Sequence, residues 1–118
     1  MTTKTYDVMA ASDLADGECR AATAGPWRIL VVRVGDAFHA INNRCSHAAA
    51  PLSDGRVRGK LIICPVHGAR FDVSTGKCVG GPYFPIPSFD VVVENGRVLV
   101  AVPDRPPDMT ELPIALRI

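Results

Sequence analysis

The sequence predicts an all-β fold, a small antiparallel β-sandwich or barrel with a separate segment inserted between its strands. Three observations lead there. Apolar and polar residues alternate with a period of two over several short stretches, and turn signals separate those stretches. One central stretch departs from the pattern and is rich in Gly, Cys and His. No segment keeps a helical period for longer than a turn or two.

Taken in order, Tyr6–Met9 reads as a short strand, and Ser12-Asp-Leu-Ala-Asp-Gly17 as a single helical turn closed by glycine. Trp27 to Val34 is a strand that Gly35-Asp36 turns into a second one, Ala37 to Asn42. Shorter strands are expected at Leu61–Ile63 and Phe71–Val73. Phe89 to Glu94 and Arg97 to Val102 flank Asn95-Gly96, a strong two-residue hairpin signal because both turn positions need positive φ. Several short strands joined by turns make a sandwich or barrel. Residues 1–102 then form a single domain, with 43–81 as a metal-binding insertion. Residues 103–118 are a proline-rich tail that either straps across this sandwich or reaches a neighbouring subunit.

With 118 residues the chain is large enough for one hydrophobic core without disulfide staples. A hydrophobic fraction of 47%, a charged fraction of 21% and a net charge of +1 give none of the basic excess of a nucleic-acid binder. The longest apolar stretches, such as Ile29 to Val32, are too short to cross a membrane. The first residues lack the apolar run of a secretory signal. The expected location is therefore cytoplasmic, where paired cysteines bind metal more readily than each other.

The chemistry lies in Cys45-Ser-His47 and Cys64-Pro-Val-His67, with sixteen residues between His47 and Cys64. Each pair offers one soft thiolate and one imidazole on a tight loop, and two such loops can close on a metal centre from opposite sides. A structural zinc site accepts two Cys and two His. Zinc knuckles usually space their paired ligands more widely than Cys-x-His. A 2Fe–2S centre of mixed ligation places two cysteines on one iron and two histidines on the other, so each loop gives one ligand to each iron.

The stretch Cys45-Ser-His-Ala-Ala-Ala-Pro-Leu-Ser-Asp-Gly55, with Cys64-Pro-Val-His-Gly-Ala-Arg-Phe-Asp-Val-Ser-Thr-Gly76, resembles the Rieske ferredoxins of bacterial multicomponent, aromatic-ring-hydroxylating oxygenases. The resemblance implies the Rieske fold and one 2Fe–2S cluster per chain, bound by Cys45, His47, Cys64 and His67. It implies that His47 and His67 bind iron through Nδ1 and leave Nε2 at the surface. It also implies that Gly80-Gly-Pro-Tyr-Phe-Pro-Ile-Pro87 covers the cluster's third side. The partners it implies are a ferredoxin reductase and a terminal Rieske oxygenase, with no nucleic acid and no membrane. No catalytic residue is expected, and the chain is an electron carrier of a dioxygenase system, not an enzyme alone. A small nitrite reductase subunit also resembles a Rieske domain, but such subunits often lack ligands that are all present here. A structural zinc module is the reading from another class.

Two departures bear on the redox potential. Respiratory Rieske proteins carry an extra Cys in each loop, where this chain has Ala50 and Val66, so their loop disulfide has no counterpart. Their Ser and Tyr hydroxyls, which donate to sulfur, are replaced by Ala69 and Phe71. Donors aimed at sulfur stabilise the added negative charge of the reduced state, so their loss lowers the potential, to roughly −150 mV.

Cys19 and Cys78 lie outside the ligand pattern and read as small semi-buried hydrophobes. His39 sits in a strand as a packing or surface residue, and Tyr83 and Phe84 either shield the cluster or pack as ordinary loop residues. Residues 44–77 hold six basic side chains (Arg44, Arg56, Arg58, Lys60, Arg70, Lys77) against Asp54 and Asp72, a local +4. That skirt either steers a redox partner or is a solvated hairpin tip.

Overall fold

The computed structural model describes residues 2–46, 49–66 and 68–113. Nine strands account for its regular structure: β1 (Thr3–Ala10), β2 (Cys19–Ala24), β3 (Trp27–Val34), β4 (Ala37–Asn42), β5 (Arg56–Arg58), β6 (Leu61–Ile63), β7 (Arg70–Asp72), β8 (Ser88–Glu94) and β9 (Arg97–Pro103). Six of them form an antiparallel sheet of order β1-β9-β8-β4-β3-β2. β8 pairs with β4 only at Phe89–Ala40 and Ser88–Ile41, then diverges, and β1 comes back against β2, so the sheet curls toward a barrel. β5, β6 and β7 form the second, three-stranded sheet. This is the all-β architecture expected from the alternation.

The run Trp-Arg-Ile-Leu-Val-Val of β3 is apolar on both faces because β3 separates two cores. Trp27, Ile29 and Val31 point into the curled sheet with Met9, Val98, Val100 and Val102. Leu30 and Val32 point the other way, into a core shared with Ile62, Phe71, Val73 and Ile86. A strand buried on both sides reads as a continuous apolar run, not an alternating one. Side chains such as Ile62 and Phe71 are fully buried, and each contributes about 1.5–3 kcal/mol of transfer free energy. The second core holds the small sheet against the large one.

The turns follow the sequence. Asn95 and Gly96 both adopt positive φ, 51° and 74°, closing the β8–β9 hairpin. Two strands, β2 and β5, were not expected: Cys-Arg-Ala-Ala-Thr-Ala and Arg-Val-Arg carry few β-branched residues, and they exist through their pairing with β3 and β6. β1 extends further than Tyr6–Met9 at both ends and contains a bulge between Asp7 and Met9. The third strand of the small sheet covers Arg70–Asp72 in place of Phe71–Val73. The early turn is a 3-10 turn at Ala11–Asp13, with Gly17 at φ 83° beyond it.

Beyond β9 the chain straps across its own sheet as far as Pro113. The Trp27 indole N–H donates to the carbonyls of Arg105 (2.9 Å) and Pro103 (3.3 Å). The Arg105 guanidinium lies 5.1 Å from the centre of the same ring and holds Glu111 with two hydrogen bonds of 2.8 and 3.0 Å. Residues 114–118, the last of the tail, lie outside the described residues. No described helix is long and apolar enough to cross a membrane.

Candidate metal centre

Cys45 follows β4, and Cys64 follows β6. Both side chains are buried, at 0% and 1% exposure, and both belong to the core between the two sheets. The two loops that carry them are built alike. In the first, the Cys45 N–H donates to Ala50 O (2.9 Å), and the Ala49 N–H donates back to Cys45 O (2.8 Å). In the second, the Cys64 N–H donates to Ala69 O (2.8 Å), and the Gly68 N–H donates back to Cys64 O (3.1 Å). The fourth residue after each cysteine has positive φ, 58° at Ala49 and 74° at Gly68. For a residue with a Cβ this conformation costs about 1–2 kcal/mol, which the hydrogen bonds of the first loop offset. His47 and His67, together with Ala48, lie outside the described residues.

The base of the first loop is anchored by two asparagines. Asn43 is buried, its Oδ1 accepts from the Ser53 N–H (2.9 Å), its Nδ2 donates to Ser53 Oγ (3.1 Å), and its own N–H donates to Arg28 O (3.0 Å). That staples the loop to the 3-10 turn Leu52–Asp54, which seats Leu52 in the core. Asn42 joins three segments: its N–H donates to Pro87 O (2.9 Å) and its Nδ2 to Glu111 O (2.8 Å). Ser46 donates its hydroxyl to the Phe84 carbonyl, tying the loop to the proline-rich segment. The sequence reading passed over Asn42, Asn43 and Ser46. Two amides directly after an apolar strand and before a cysteine were the available signal.

The proline-rich segment, 80–87, lies beside the first loop. Ile86 is buried, and its N–H donates to Gly76 O (2.8 Å). Gly76 has φ 81°, and a Cβ there would stand 1.9 Å from Ile86 O, so the two backbones touch. Tyr83 packs on the core, whereas Phe84 is 81% exposed and does not.

The surroundings of the two cysteines are apolar. Ala69 and Phe71, the positions without hydroxyls, are both buried, and Phe71 shares the core with Cys45 and Cys64. Cys19 and Cys78 are unbridged and half-buried. Burial and the neighbouring Glu18 push the Cys19 thiol up, and the Cys78 thiol donates to Gly81 O at 3.3 Å, which suits both as packing residues. His39 is half-buried in β4 opposite Val32. Asp72 is held below the usual carboxylate range, chiefly by the Ser74 hydroxyl, with Lys60 at 3.9 Å and His39 adding to it.

Two thiols at equivalent positions of two matching loops, buried in one apolar core, suit a group that takes one sulfur from each loop. A 2Fe–2S group with mixed ligation does so.

Comparison with known proteins agrees with that chemistry. The family model described as "Rieske [2Fe-2S] domain" matches residues 4–90. The ferredoxin component of the naphthalene 1,2-dioxygenase system of Pseudomonas putida is 36% identical over 101 residues, covering 85% of this chain and 97% of its own. Ferredoxin CarAc of Metapseudomonas resinovorans is 42% identical over 96 residues, covering 80% and 90%. A ferredoxin solved in complex with the reduced oxygenase of carbazole 1,9a-dioxygenase superposes with a TM-score of 0.78 at 40% identity, covering 82% of this chain and 92% of that one.

Proposed function

The chain belongs to the Rieske [2Fe-2S] domain family, and on that premise we propose that it is a ferredoxin that carries single electrons from a reductase to a terminal oxygenase. The observation that carries this reading is the pair of matched loops placing Cys45 and Cys64 in one buried core. The relatives named above support the carrier role, since ferredoxin components align with this chain over nearly their whole length.

In this proposal Cys45 and Cys64 hold one iron, and His47 and His67 hold the other, in one 2Fe–2S cluster per chain. Such a group accepts and releases one electron at a time. The protein's part is to hold and insulate it. Leu52, Ile62, Phe71 and Ile86 keep water from the sulfur side, and Ala69 and Phe71 offer no hydroxyl. An added negative charge is poorly solvated there, so the potential sits at the low end of the Rieske range. A low potential suits delivery to an oxygenase. We place the carrier in the cytoplasm, where half-buried thiols such as Cys19 and Cys78 persist reduced. It performs no substrate chemistry of its own.

The test is elemental and spectroscopic. Purified protein should contain about two iron and two acid-labile sulfide per chain, and its dithionite-reduced form should show an electron paramagnetic resonance signal. Replacing Cys45, His47, Cys64 or His67 with Ala should abolish both. Reconstituted turnover by an oxygenase and reductase should depend on this protein. Colourless, zinc-loaded protein would overturn the reading.

A further inference from the structure

The small sheet has an outward face that the carrier reading leaves unassigned. Val57, Ile62 and Phe71 point into the core, so their neighbours point out. The register sets Arg56 opposite Ile63, and Ile63 opposite Arg70. Beyond Arg70 the chain returns alongside β7, through a bridge between Phe71 and Cys78 and a 2.8 Å bond from Val79 N–H to Arg70 O. Cys78 packs inward, which leaves Val79 outward and 54% exposed. One row across the face therefore reads Arg56, Ile63, Arg70, Val79. Ile63 directly precedes Cys64, so this row borders the loop that supplies an expected iron ligand.

The row behind it is different. It holds Arg58, Leu61 and Asp72, and Lys60 at its end lies 3.9 Å from the Asp72 carboxylate. The basic skirt seen in the sequence is thus divided in space. In the row away from the loop Lys60 and Asp72 offset one another while Arg58 stays unpaired, and Arg56 and Arg70 stand unpaired beside the loop. Elsewhere among the described residues four arginines are engaged, Arg20 with Asp13, Arg33 with Asp36, Arg97 with Asp7 and Arg105 with Glu111, whereas Arg28 in β3 and Arg44 after β4 are not. Among the described residues Arg56, Arg58 and Arg70 make no ion pair. Arg70 lies flat on Gly80, where a Cβ would meet its Nε at 2.2 Å. A recess of about 400 Å³ opens next to Arg56, with Asp54, Cys64 and Pro65 on its wall.

We propose that this row, Arg56 and Arg70 alternating with Ile63 and Val79, is the seat of an acidic, partly apolar surface on a redox partner protein. The proposal rests on the carrier reading and adds the face and the chemistry of the contact. Arginine is enriched in protein interfaces, where its planar head pairs carboxylates two bonds at a time over an apolar base. Unpaired cations beside the electron's exit favour productive over unproductive encounters, because the attraction orients the partner before contact.

The experiment uses the cluster-loaded protein on gold coated with alkanethiol monolayers ending in carboxylate or in ammonium. Wild type is expected to give a reversible one-electron wave on the carboxylate surface, weakened by salt, and none on the ammonium surface. Arg56→Glu with Arg70→Glu should reduce that wave about tenfold, the low end of what electrostatic steering supplies. Lys4→Glu with Arg20→Glu, the same charge change on β1 and β2, should preserve it. Visible absorbance checks that each variant is loaded, and Arg56→Gln with Arg70→Gln replaces the reversal if it is not. Equal waves on the two surfaces, or equal loss in the two double variants, would overturn the proposal while leaving the carrier reading intact. Salt-sensitive retention on phosphatidylserine vesicles, lost with Arg56 and Arg70, would assign the face to a lipid surface and overturn it as well. A reduced wild type without a 2Fe–2S resonance would instead overturn the carrier reading.

Discussion

Gly76→Ala measures how tightly the proline-rich segment is fixed beside the first loop. Gly76 sits at φ 81°, so alanine incurs about 1–2 kcal/mol for the left-handed conformation alone. Its Cβ would also lie 1.9 Å from the Ile86 carbonyl, less than any real contact, so Ile86 must retreat by roughly an ångström. That movement breaks the 2.8 Å bond from Ile86 N–H to Gly76 O, worth about 1 kcal/mol. It also lifts a 4%-exposed isoleucine out of the core shared with Cys45 and Cys64, at about 1–2 kcal/mol. The sum is about 3–5 kcal/mol, a large part of the ~5–15 kcal/mol that holds a domain together. Gly96→Ala is the matched control, with φ 74° and nothing within 4 Å of the added Cβ. At about 4 °C per kcal/mol for a chain this size, Gly96→Ala should lower the apparent melting midpoint by roughly 4–8 °C and Gly76→Ala by roughly 12–20 °C. The assay is circular dichroism and visible bleaching of the loaded protein at one scan rate, since cofactor loss makes the midpoint kinetic. Equal shifts for the two variants would show that the contact with Ile86 carries no energy and refute the reasoning.

Other outcomes follow from the same geometry. The midpoint potential should lie near about −150 mV and rise in Ala69→Ser and Phe71→Tyr, which restore hydroxyls beside the cysteines; a wild-type value above zero contradicts this account. Ser46→Ala removes the tie to the Phe84 carbonyl, and a loss of about 1 kcal/mol should speed iron release to a chelator about fivefold; an unchanged rate would mean that the segment does not guard the loop. Arg105→Ala should uncover the single tryptophan, so Trp27 emission shifts to the red without loss of iron. The hydrogen bonds from Arg105 hold the Glu111 carboxyl below the usual range, so its contribution is complete above the ordinary carboxylate pKa and is lost as pH falls through the lowered folded value. Glu111→Gln should therefore destabilise at neutral pH and make no difference in acid below that value, as read by urea midpoints.

The fold was legible wherever a strand's own residues decide it. β3 and the β8–β9 hairpin follow from β-branched runs and from Asn95-Gly96, β4 follows from the Gly35-Asp36 turn after β3, and all lie within a residue of their expected bounds. β2 was not legible, because Cys-Arg-Ala-Ala-Thr-Ala has little preference for a strand, and its pairing with β3 comes from the tertiary fold. At the site, Cys45 and Cys64 stood out by their spacing to the histidines. The likeness of their loops did not, because it resides in backbone hydrogen bonds that Ser-His-Ala-Ala and Pro-Val-His-Gly reach with different side chains. The basic skirt was countable in one dimension. Its division into a row beside the Cys64 loop and a row behind it needed the register of β5, β6 and β7.

Asn42 has a consequence for how mutations far from iron should be read. Position 87 grips its main chain and position 111 its amide, three residues ahead of Cys45. A shift of the main chain at Glu111, nearly seventy residues away in sequence, thus has a short mechanical linkage to the first sulfur, because the Asn42 amide donates to the Glu111 carbonyl. A variant that displaces this remote main chain is expected to alter the spectrum through that linkage, without touching the metal.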